Sequence, residues 1–255
     1  MKIGNSVIEV IRRKFIRKLE CPICNNRAEH FLPLPDLYKV IAYTSEVPVS
    51  VSDLETLNID NYSCPNCGSS DRERLYYLFI KKQSLSDSRI LHFSPEGALE
   101  RSIKKQINYR EYITTDFERC DVDERIDIRN IDKYEDESID FFICSHVLEH
   151  VDDDEKAISE LYRILKKNGR GILMVPVALN IQNTYEDPSI VTPVDRVLHF
   201  GQEDHVRIYS KIGFLKRVSA HGFVVKQYGW QFFGKKIYNK NAITLSSVLY
   251  VVEKI

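Results

Sequence analysis

The order of hydrophobic and polar residues from residue 89 onward predicts strands that alternate with helices. Short apolar runs predict strands, and stretches with a period near 3.6 predict helices between them. One run, IDFFIC, is apolar along nearly its whole length, as expected of a strand buried on both faces. The predicted strands are 89–93, 112–115, 125–128, 139–144 and 171–175, and the first helix is 97–107.

The clearest helix is predicted over residues 153–167. Its apolar residues form one stripe, which consists of Ala157, Ile158, Leu161, Ile164 and Leu165. Acidic residues at 152–154 suit the positive end of the helix dipole, and lysines at 166–167 suit the negative end. Gly169 suits the left-handed residue that often follows a helix. Strands alternating with helices predict an α/β fold, in which a mostly parallel sheet carries helices on both faces.

Functional side chains follow the ends of these strands, where ligands bind in such sheets. Asp116 lies 19 residues after Gly97, close to the spacing at which an acidic residue binds ribose hydroxyls. The turn after the first strand has one glycine, Gly97, where a pyrophosphate-binding loop has three. S-adenosylmethionine contains no pyrophosphate, so the pattern favours this cofactor over a dinucleotide.

Two Cys-x-x-Cys pairs, Cys21/Cys24 and Cys64/Cys67, precede this region. Each pair places two thiolates in one tight turn, and two such turns complete a tetrahedral zinc site with four cysteine ligands. A site closed by four cysteines leaves no position for substrate, so we expect a structural zinc in a zinc-ribbon-like module. A redox dithiol and unmetallated thiols are the alternatives. Cys144 lies in an apolar strand and is expected to be a core residue.

Composition and charge describe an ordinary globular protein. The chain has 255 residues, with 36 basic and 37 acidic side chains, and this balance weighs against a long nucleic acid as partner. The longest apolar run, 171–179, contains Pro176 and is too short to span a bilayer. With no signal-peptide pattern, a cytoplasmic location is expected. The first twenty residues predict an amphipathic helix, either docked with a solvated basic face or lying on a membrane surface.

Residues 128–176 resemble a class I S-adenosylmethionine-dependent methyltransferase. The segments that carry the resemblance are 136–140 (DESID), 147–150 (VLEH) and 161–169 (LYRILKKNG). It extends to the C-terminus, where 223–227 and 247–252 resemble the last strands of that Rossmann-like fold. The chain also resembles a bacterial group linked to surface-polysaccharide or related small-molecule modification. This narrower resemblance is carried by the cysteine pairs and by the segments LHFSPE, SHVLEH, YEDPSI and HFGQEDHVRIYS.

The resemblance implies roles for the residues at the strand ends. The methionine tail would lie against the first loop, the ribose against Asp116, the adenine beside Asp127 and Ile128, and the sulfonium above Ser145 and His146. The complete set of expected cofactor contacts is Phe93, Ser94, Pro95, Glu96, Gly97, Asp116, Phe117, Asp127, Ile128, Ser145 and His146.

The acceptor is expected to meet a long polar insertion, residues 180–210. A hydroxyl acceptor needs a base, and histidine suits that role at neutral pH. The candidates are His146, His199 and His205, with His205 favoured because acidic residues and Arg207 flank it. The expected substrate-binding residues are Tyr185, Glu186, Asp187 and Arg207, the last holding a phosphate or carboxylate.

The chain is therefore expected to have a module at 1–80 and a methyltransferase domain at 85–255. The expected reaction is methylation, preferably of oxygen, on a small-molecule or saccharide acceptor in surface-polysaccharide biosynthesis. One alternative is an RNA-base methyltransferase, supported by Arg72 and Arg74 after the second cysteine pair. A non-catalytic binding module and a dinucleotide oxidoreductase are the others. The sequence leaves the oligomeric state open.

Overall fold

A computed structural model describes residues 18–39 and 48–255. Residues 1–17 of the predicted N-terminal amphipathic helix lie outside the described residues, and its last two residues, Leu19–Glu20, form a short strand. The α-helices and β-strands with defined bounds in the described part are, in chain order, β1 (Leu19–Glu20), β2 (Arg27–Ala28), α1 (Asp71–Ile80), β3 (Arg89–Phe93), α2 (Gly97–Gln106), β4 (Glu111–Asp116), β5 (Glu124–Arg125), β6 (Ile139–Ser145), α3 (Asp154–Ile164), β7 (Leu165–Met174), β8 (Val177–Ala178), β9 (Tyr185–Glu186), α4 (Pro193–Phe200), β10 (Arg207–Ser210), α5 (Lys211–Ala220), β11 (Val224–Tyr228), α6 (Trp230–Phe233), α7 (Lys235–Lys240) and β12 (Leu249–Glu253).

Seven strands form the central sheet in the order β11-β12-β7-β6-β3-β4-β5. Strand β12 pairs antiparallel with both of its neighbours, and the other ladders of this sheet are parallel. The chain leaves β3 towards β4 on one side and later returns to β6 on the other. This reversal of direction opens a crevice at the carboxyl ends of β3, β4 and β6, where such sheets bind ligands. The predicted mostly parallel α/β fold is confirmed.

Two predicted elements differ from the structure. Helix α3 ends at Ile164, and β7 begins at the next residue, so the lysines at 166–167 lie in the strand. Between Leu165 and Arg170 the pairing of β7 with β6 is irregular, and Asn168, not Gly169, has a left-handed backbone. The predicted third strand is shorter, which leaves Asp127 and Ile128 in the loop after β5.

The cysteine-containing segment packs directly on the larger domain. Helix α1 follows the second cysteine pair, and its buried side chains share one hydrophobic core with the central sheet. Arg74 of this helix is fully buried and donates hydrogen bonds to five backbone carbonyls from both parts of the chain, those of Asn61, Tyr62, Ser69, Asn241 and Ala242. Thr56 also bonds the backbone of Val248.

The insertion after β7 forms a small second sheet. Strand β10 pairs parallel with β8 and antiparallel with β9, and helix α4 lies in the connection between β9 and β10. The amide of Val206 donates to the carbonyl of Glu149, which attaches the insertion to the turn after β6. Among the described helices, none has the length and apolar character needed to cross a membrane.

Candidate functional site

The crevice at the carboxyl edge of the sheet contains two strained turns. Ser94 after β3 has a φ of 46°, and His146 after β6 has a φ of 54°. A residue with a side chain adopts this left-handed conformation at a cost of about 1–3 kcal/mol, and such residues cluster at functional sites. Ser94 therefore makes the turn for which glycine is the usual residue.

The side chain of Ser94 also links the first loop to Asp116. Its hydroxyl donates to Oδ2 of Asp116 at 2.8 Å, and the amides of Glu118 and Arg119 donate to Oδ1. Burial raises the pKa of Asp116, but these hydrogen bonds outweigh it and lower the pKa below its usual value. The carboxylate is thus ionised and held at the end of β4, beside the loop that precedes α2.

Two residues of the next loops differ in their freedom to contact a ligand. Phe117 follows Asp116 and is 57% exposed, so its ring is available for stacking. Asp127 accepts three hydrogen bonds from the side chain of Arg129 and one from its amide, so both carboxylate oxygens already have a partner. Ile128 beside it is buried.

Glu96 lies between two cationic or polar side chains at the start of α2. Its Oε2 is 3.1 Å from Nε2 of His92, and its Oε1 is 4.0 Å from Nε of Arg72. Burial raises the pKa of Glu96, but His92 and Arg72 together outweigh burial and lower it. Arg72 Nε is buried and makes no hydrogen bond within the described residues.

A cavity of about 370 Å³ lies beside this crevice. Its walls come from the cysteine-containing segment and α1 on one side, and from the turn after β6 and the insertion on the other. The polar side chains that reach it include Tyr62, Arg72, His146, Glu149, His150 and His205. Its volume falls within the range typical of small-molecule sites.

The histidines of the cavity surround one buried carboxylate. Glu149 is 1% exposed, and its Oε1 lies 3.1 Å from Nδ1 of His146. Burial raises the pKa of Glu149, but the positive charge that His146 carries when protonated outweighs burial and lowers the pKa to about 2. Burial lowers the pKa of both His146 and His205 below the ordinary value. At neutral pH both imidazoles are therefore neutral and able to accept a proton.

Arg207, the residue expected to bind the acceptor, is held mainly by protein groups in the structure. The side chain borders the cavity, but it is 5% exposed and all three guanidinium nitrogens donate to protein groups. Nε bonds Glu186 at 2.8 Å, and the other two nitrogens bond the carbonyls of Leu148, Val151 and Asp152. Four of the five N–H groups therefore have a protein acceptor, and Nη2 also lies 3.7 Å from Oδ1 of Asp154, so the guanidinium supports the turn after β6.

The other three residues expected to bind substrate, Tyr185, Glu186 and Asp187, do not line the cavity. Glu186 forms ion pairs with Arg207 and Arg217. The hydroxyl of Tyr185 lies 2.6 Å from Nδ1 of His199, and neither residue lines the cavity. Asp187 is exposed and bonds Ser189 in a turn. Of the three candidate bases, the structure brings His146 and His205 together and leaves His199 outside.

The four cysteines of the two pairs converge on one point. Sγ of Cys21 lies 3.7 Å from Sγ of Cys67, and Sγ of Cys24 lies 3.7 Å from Sγ of Cys64. All four sulfur atoms lie within 4.8 Å of one another. Zinc–sulfur bonds of about 2.3 Å in a tetrahedron place sulfur atoms about 3.8 Å apart. The cluster therefore has the dimensions of a four-cysteine metal site. Cys144 is fully buried in β6, as the prediction of a core residue requires.

Sequence reasoning missed the functional position of three side chains. Arg72 was interpreted as part of a basic surface but lies in the cavity wall. Glu149 and His150 are adjacent in the turn after β6, and a carboxylate next to a histidine at a strand end could have indicated a functional pair. What the sequence did not show is that His205 packs against His150, with ring centroids 4.7 Å apart.

A family model described as a methyltransferase domain matches residues 96–173. No curated protein matches the chain. Among solved structures, the [4+2]-cyclase SpnF is similar with a TM-score of 0.53 and 13% identity, over 88% of this chain and 99% of that one. A methyltransferase from Archaeoglobus fulgidus that is named as SAM-dependent has a TM-score of 0.47 and 15% identity, over 73% and 95% of the two chains.

The family match runs from the residue before α2 into β7. The likeness to the cyclase supports the fold over most of the chain, but a shared fold does not by itself specify a reaction. The strand order, the acidic residue at the end of β4 and the matched segment agree with one another. Residues 96–173 therefore match a methyltransferase domain, and they lie within a Rossmann-like α/β fold with a mostly parallel central sheet.

Proposed function

We propose that this protein transfers a methyl group from S-adenosylmethionine to a small polar acceptor bound in the cavity, with oxygen as the preferred methyl-accepting atom. The observation that carries the proposal is the position of His146. This one residue both makes the strained turn at the end of β6 and lines the cavity. A donor in the crevice and an acceptor in the cavity would therefore meet at His146.

The cofactor would be held by the residues at the strand ends. Asp116 offers an ionised carboxylate to the ribose hydroxyls, and the exposed ring of Phe117 offers a face to the adenine. Glu96, with its lowered pKa, offers a negative charge to the ammonium group of the methionine tail. The bound cofactor supplies an activated methyl group, so the protein contributes mainly position and orientation.

The acceptor would be bound and deprotonated by residues of the cavity wall. His205 and His146 are buried and have lowered pKa values, so both are available to take a hydroxyl proton at neutral pH. Arg72 replaces Arg207 as the side chain suited to a phosphate or carboxylate, because its Nε has no hydrogen bond within the described part of the chain. A saccharide or phosphate-bearing metabolite of surface-polysaccharide biosynthesis is the acceptor class that we propose.

The four clustered cysteines are proposed to hold a structural zinc ion. The sulfur–sulfur distances fit the tetrahedral geometry, and four thiolates would leave no position for a reacting group. The segment that they fold supplies one wall of the cavity. Zinc would thus support acceptor binding by stabilising that wall.

An RNA-base methyltransferase is less well supported. Arg74 is buried among carbonyl groups, and Arg72 lies in the cavity wall. Neither arginine contributes to an exposed basic surface, which is the usual feature of a nucleic-acid-binding face. The cavity size also suits a small molecule.

Calorimetric titration with S-adenosylhomocysteine tests the proposal, with NADH as the control ligand. Saturable binding that is lost in Asp116→Ala and kept in Asp132→Ala, an exposed carboxylate of the same domain, is the expected result. An intact, zinc-containing protein that binds no S-adenosylhomocysteine would overturn the proposal and favour a non-catalytic module. Methyl transfer to candidate sugar phosphates then identifies the acceptor.

A further inference from the structure

The cavity contains a second group of metal-ligating side chains, separate from the four cysteines. Glu149, His150 and His205 each offer one ligand atom, and these atoms lie within 4.8 Å of one another. We propose that these three residues bind a divalent transition-metal ion in the wall of the acceptor cavity. The role of this ion in the reaction rests on the function proposed above, whereas its binding does not.

The strongest reason is the state of Glu149. The residue is 1% exposed, and neither carboxylate oxygen accepts a hydrogen bond from any residue that the structure describes. Two buried carboxylate oxygens without a hydrogen-bond donor are costly, and a cation among the three ligand atoms would satisfy them. His146, with Nδ1 at 3.1 Å from Oε1, stands beside one oxygen and leaves the other free.

His150 is oriented as metal-binding histidines usually are, and the ring of His205 faces it from the side. Nδ1 of His150 lies 3.1 Å from Oδ2 of Asp204, so a carboxylate orients this ring and leaves Nε2 for a ligand. The ring of His205 stands nearly perpendicular to that of His150, at an interplanar angle of 78°. Two ring nitrogens can therefore face one point without the rings stacking.

The backbone around the three ligands is held in place. The amide of Val206 bonds the carbonyl of Glu149 at 2.9 Å, which fixes the strand that follows His205 against the turn. Arg207 bonds the carbonyls on both sides of Glu149 and His150. The ligands thus come from two segments that hydrogen bonds join, as a preorganised site requires.

The donor set selects the class of cation. Magnesium and calcium prefer oxygen ligands, whereas two imidazoles and one carboxylate suit manganese, iron, cobalt, nickel or zinc. Three protein ligands leave coordination positions open towards the cavity. A bound cation would supply Lewis acidity to an acceptor oxygen, and the acceptor class is then one that offers a hydroxyl or carboxylate oxygen as a ligand. With His205 bound to the cation, His146 would be the residue that takes the hydroxyl proton.

Manganese titration of the full-length protein followed by electron paramagnetic resonance tests the proposal. The cysteine site is first loaded with zinc, and Mn²⁺ is chosen because it prefers oxygen and nitrogen over thiolate ligands. One equivalent of Mn²⁺ is expected to bind the wild type. Glu149→Gln and His205→Ala should each weaken binding by roughly tenfold or more.

His221→Ala is the matched control, because His221 does not line the cavity, and it should bind Mn²⁺ as the wild type does. If His205→Ala fails to fold, the nearly isosteric Glu149→Gln carries the comparison. A wild type that binds neither Mn²⁺ nor Co²⁺ beyond the cysteine site would overturn the proposal, as would unchanged binding in Glu149→Gln. If the protein binds S-adenosylhomocysteine but no Mn²⁺, only the metal site is overturned. If it binds Mn²⁺ but no S-adenosylhomocysteine, only the methyltransferase function is overturned.

Discussion

Replacement of Arg207 by methionine distinguishes a structural arginine from one that binds the acceptor. The substitution keeps a long apolar side chain but removes hydrogen bonds to Glu186 and to three backbone carbonyls, those of Leu148, Val151 and Asp152. Glu186 keeps Arg217 as a partner at 2.6 Å, so the carboxylate is not left alone. The three carbonyls lose this donor.

The expected cost follows from these contacts. At about 1 kcal/mol for each buried carbonyl that loses its donor, three carbonyls give about 3 kcal/mol of lost stability. Breaking a buried ion pair typically costs about 3–5 kcal/mol. The value expected here lies at the lower end of that range, because Glu186 keeps its ion pair with Arg217. Reversible urea unfolding at pH 7 measures the free energy of unfolding for both proteins.

Arg110→Met provides the control, because Arg110 makes one exposed ion pair with Asp140. Its expected cost is below about 0.5 kcal/mol. If Arg207→Met unfolds at the same urea concentration as the wild type and only loses affinity for the acceptor, the structural role that we assign to Arg207 is refuted. Because the turn carries Glu149 and His150, Mn²⁺ binding should weaken together with stability.

Three further predictions follow from single residues. Gly171→Ala should cost about 1–3 kcal/mol in urea unfolding, since a new Cβ would lie 2.2 Å from the ring of Phe142; an unchanged midpoint would contradict this packing. The ion pairs of Glu186 with Arg217 and Arg207 lower its pKa to about 2, although burial raises it. Ionised Glu186 therefore stabilises the fold fully above about pH 4.5, and this contribution is lost as the pH falls towards 2. The stability difference between wild type and Glu186→Gln should therefore shrink over that interval, and a difference independent of pH would count against the ion pairs. Gly97→Ala should raise the free energy of unfolding by about 0.5–1 kcal/mol, because a Cβ there meets only the flexible end of Arg101. The same substitution should weaken S-adenosylhomocysteine binding. Equal affinity in calorimetry would show that the cofactor does not approach Gly97 closely.

Much of the fold could be predicted because its signals are local. A strand buried on both faces must be apolar along its length, and β6 is an example. Likewise, the apolar stripe of α3 follows from the helical period. The end of α3 was mispredicted because its terminal lysines and Gly169 resemble an ordinary helix end. The pairing of β7 with β6 overrode that local preference, and tertiary contacts of this kind are absent from a window of sequence.

The candidate site divides in the same way. The cysteine pairs and the acidic residue at the end of β4 could be recognised by spacing, since each spacing reflects a turn or a strand–helix unit of fixed length. The contact between His150 and His205 joins residues that lie 55 positions apart in the sequence. Such a contact depends on how the insertion packs against the turn after β6.

The sequence by itself thus determined the α/β class, the order of the main strands and helices, and which residues stand at the strand ends. Only the tertiary structure decided that Arg207 donates its hydrogen bonds to backbone carbonyls and that Arg72 reaches the cavity. It also decided that Glu149 lacks a hydrogen-bond partner among the described residues. The physical reason is that periodicity and turn spacing act over a few residues, whereas the partners of a buried charge come from distant segments brought together by packing of the whole core.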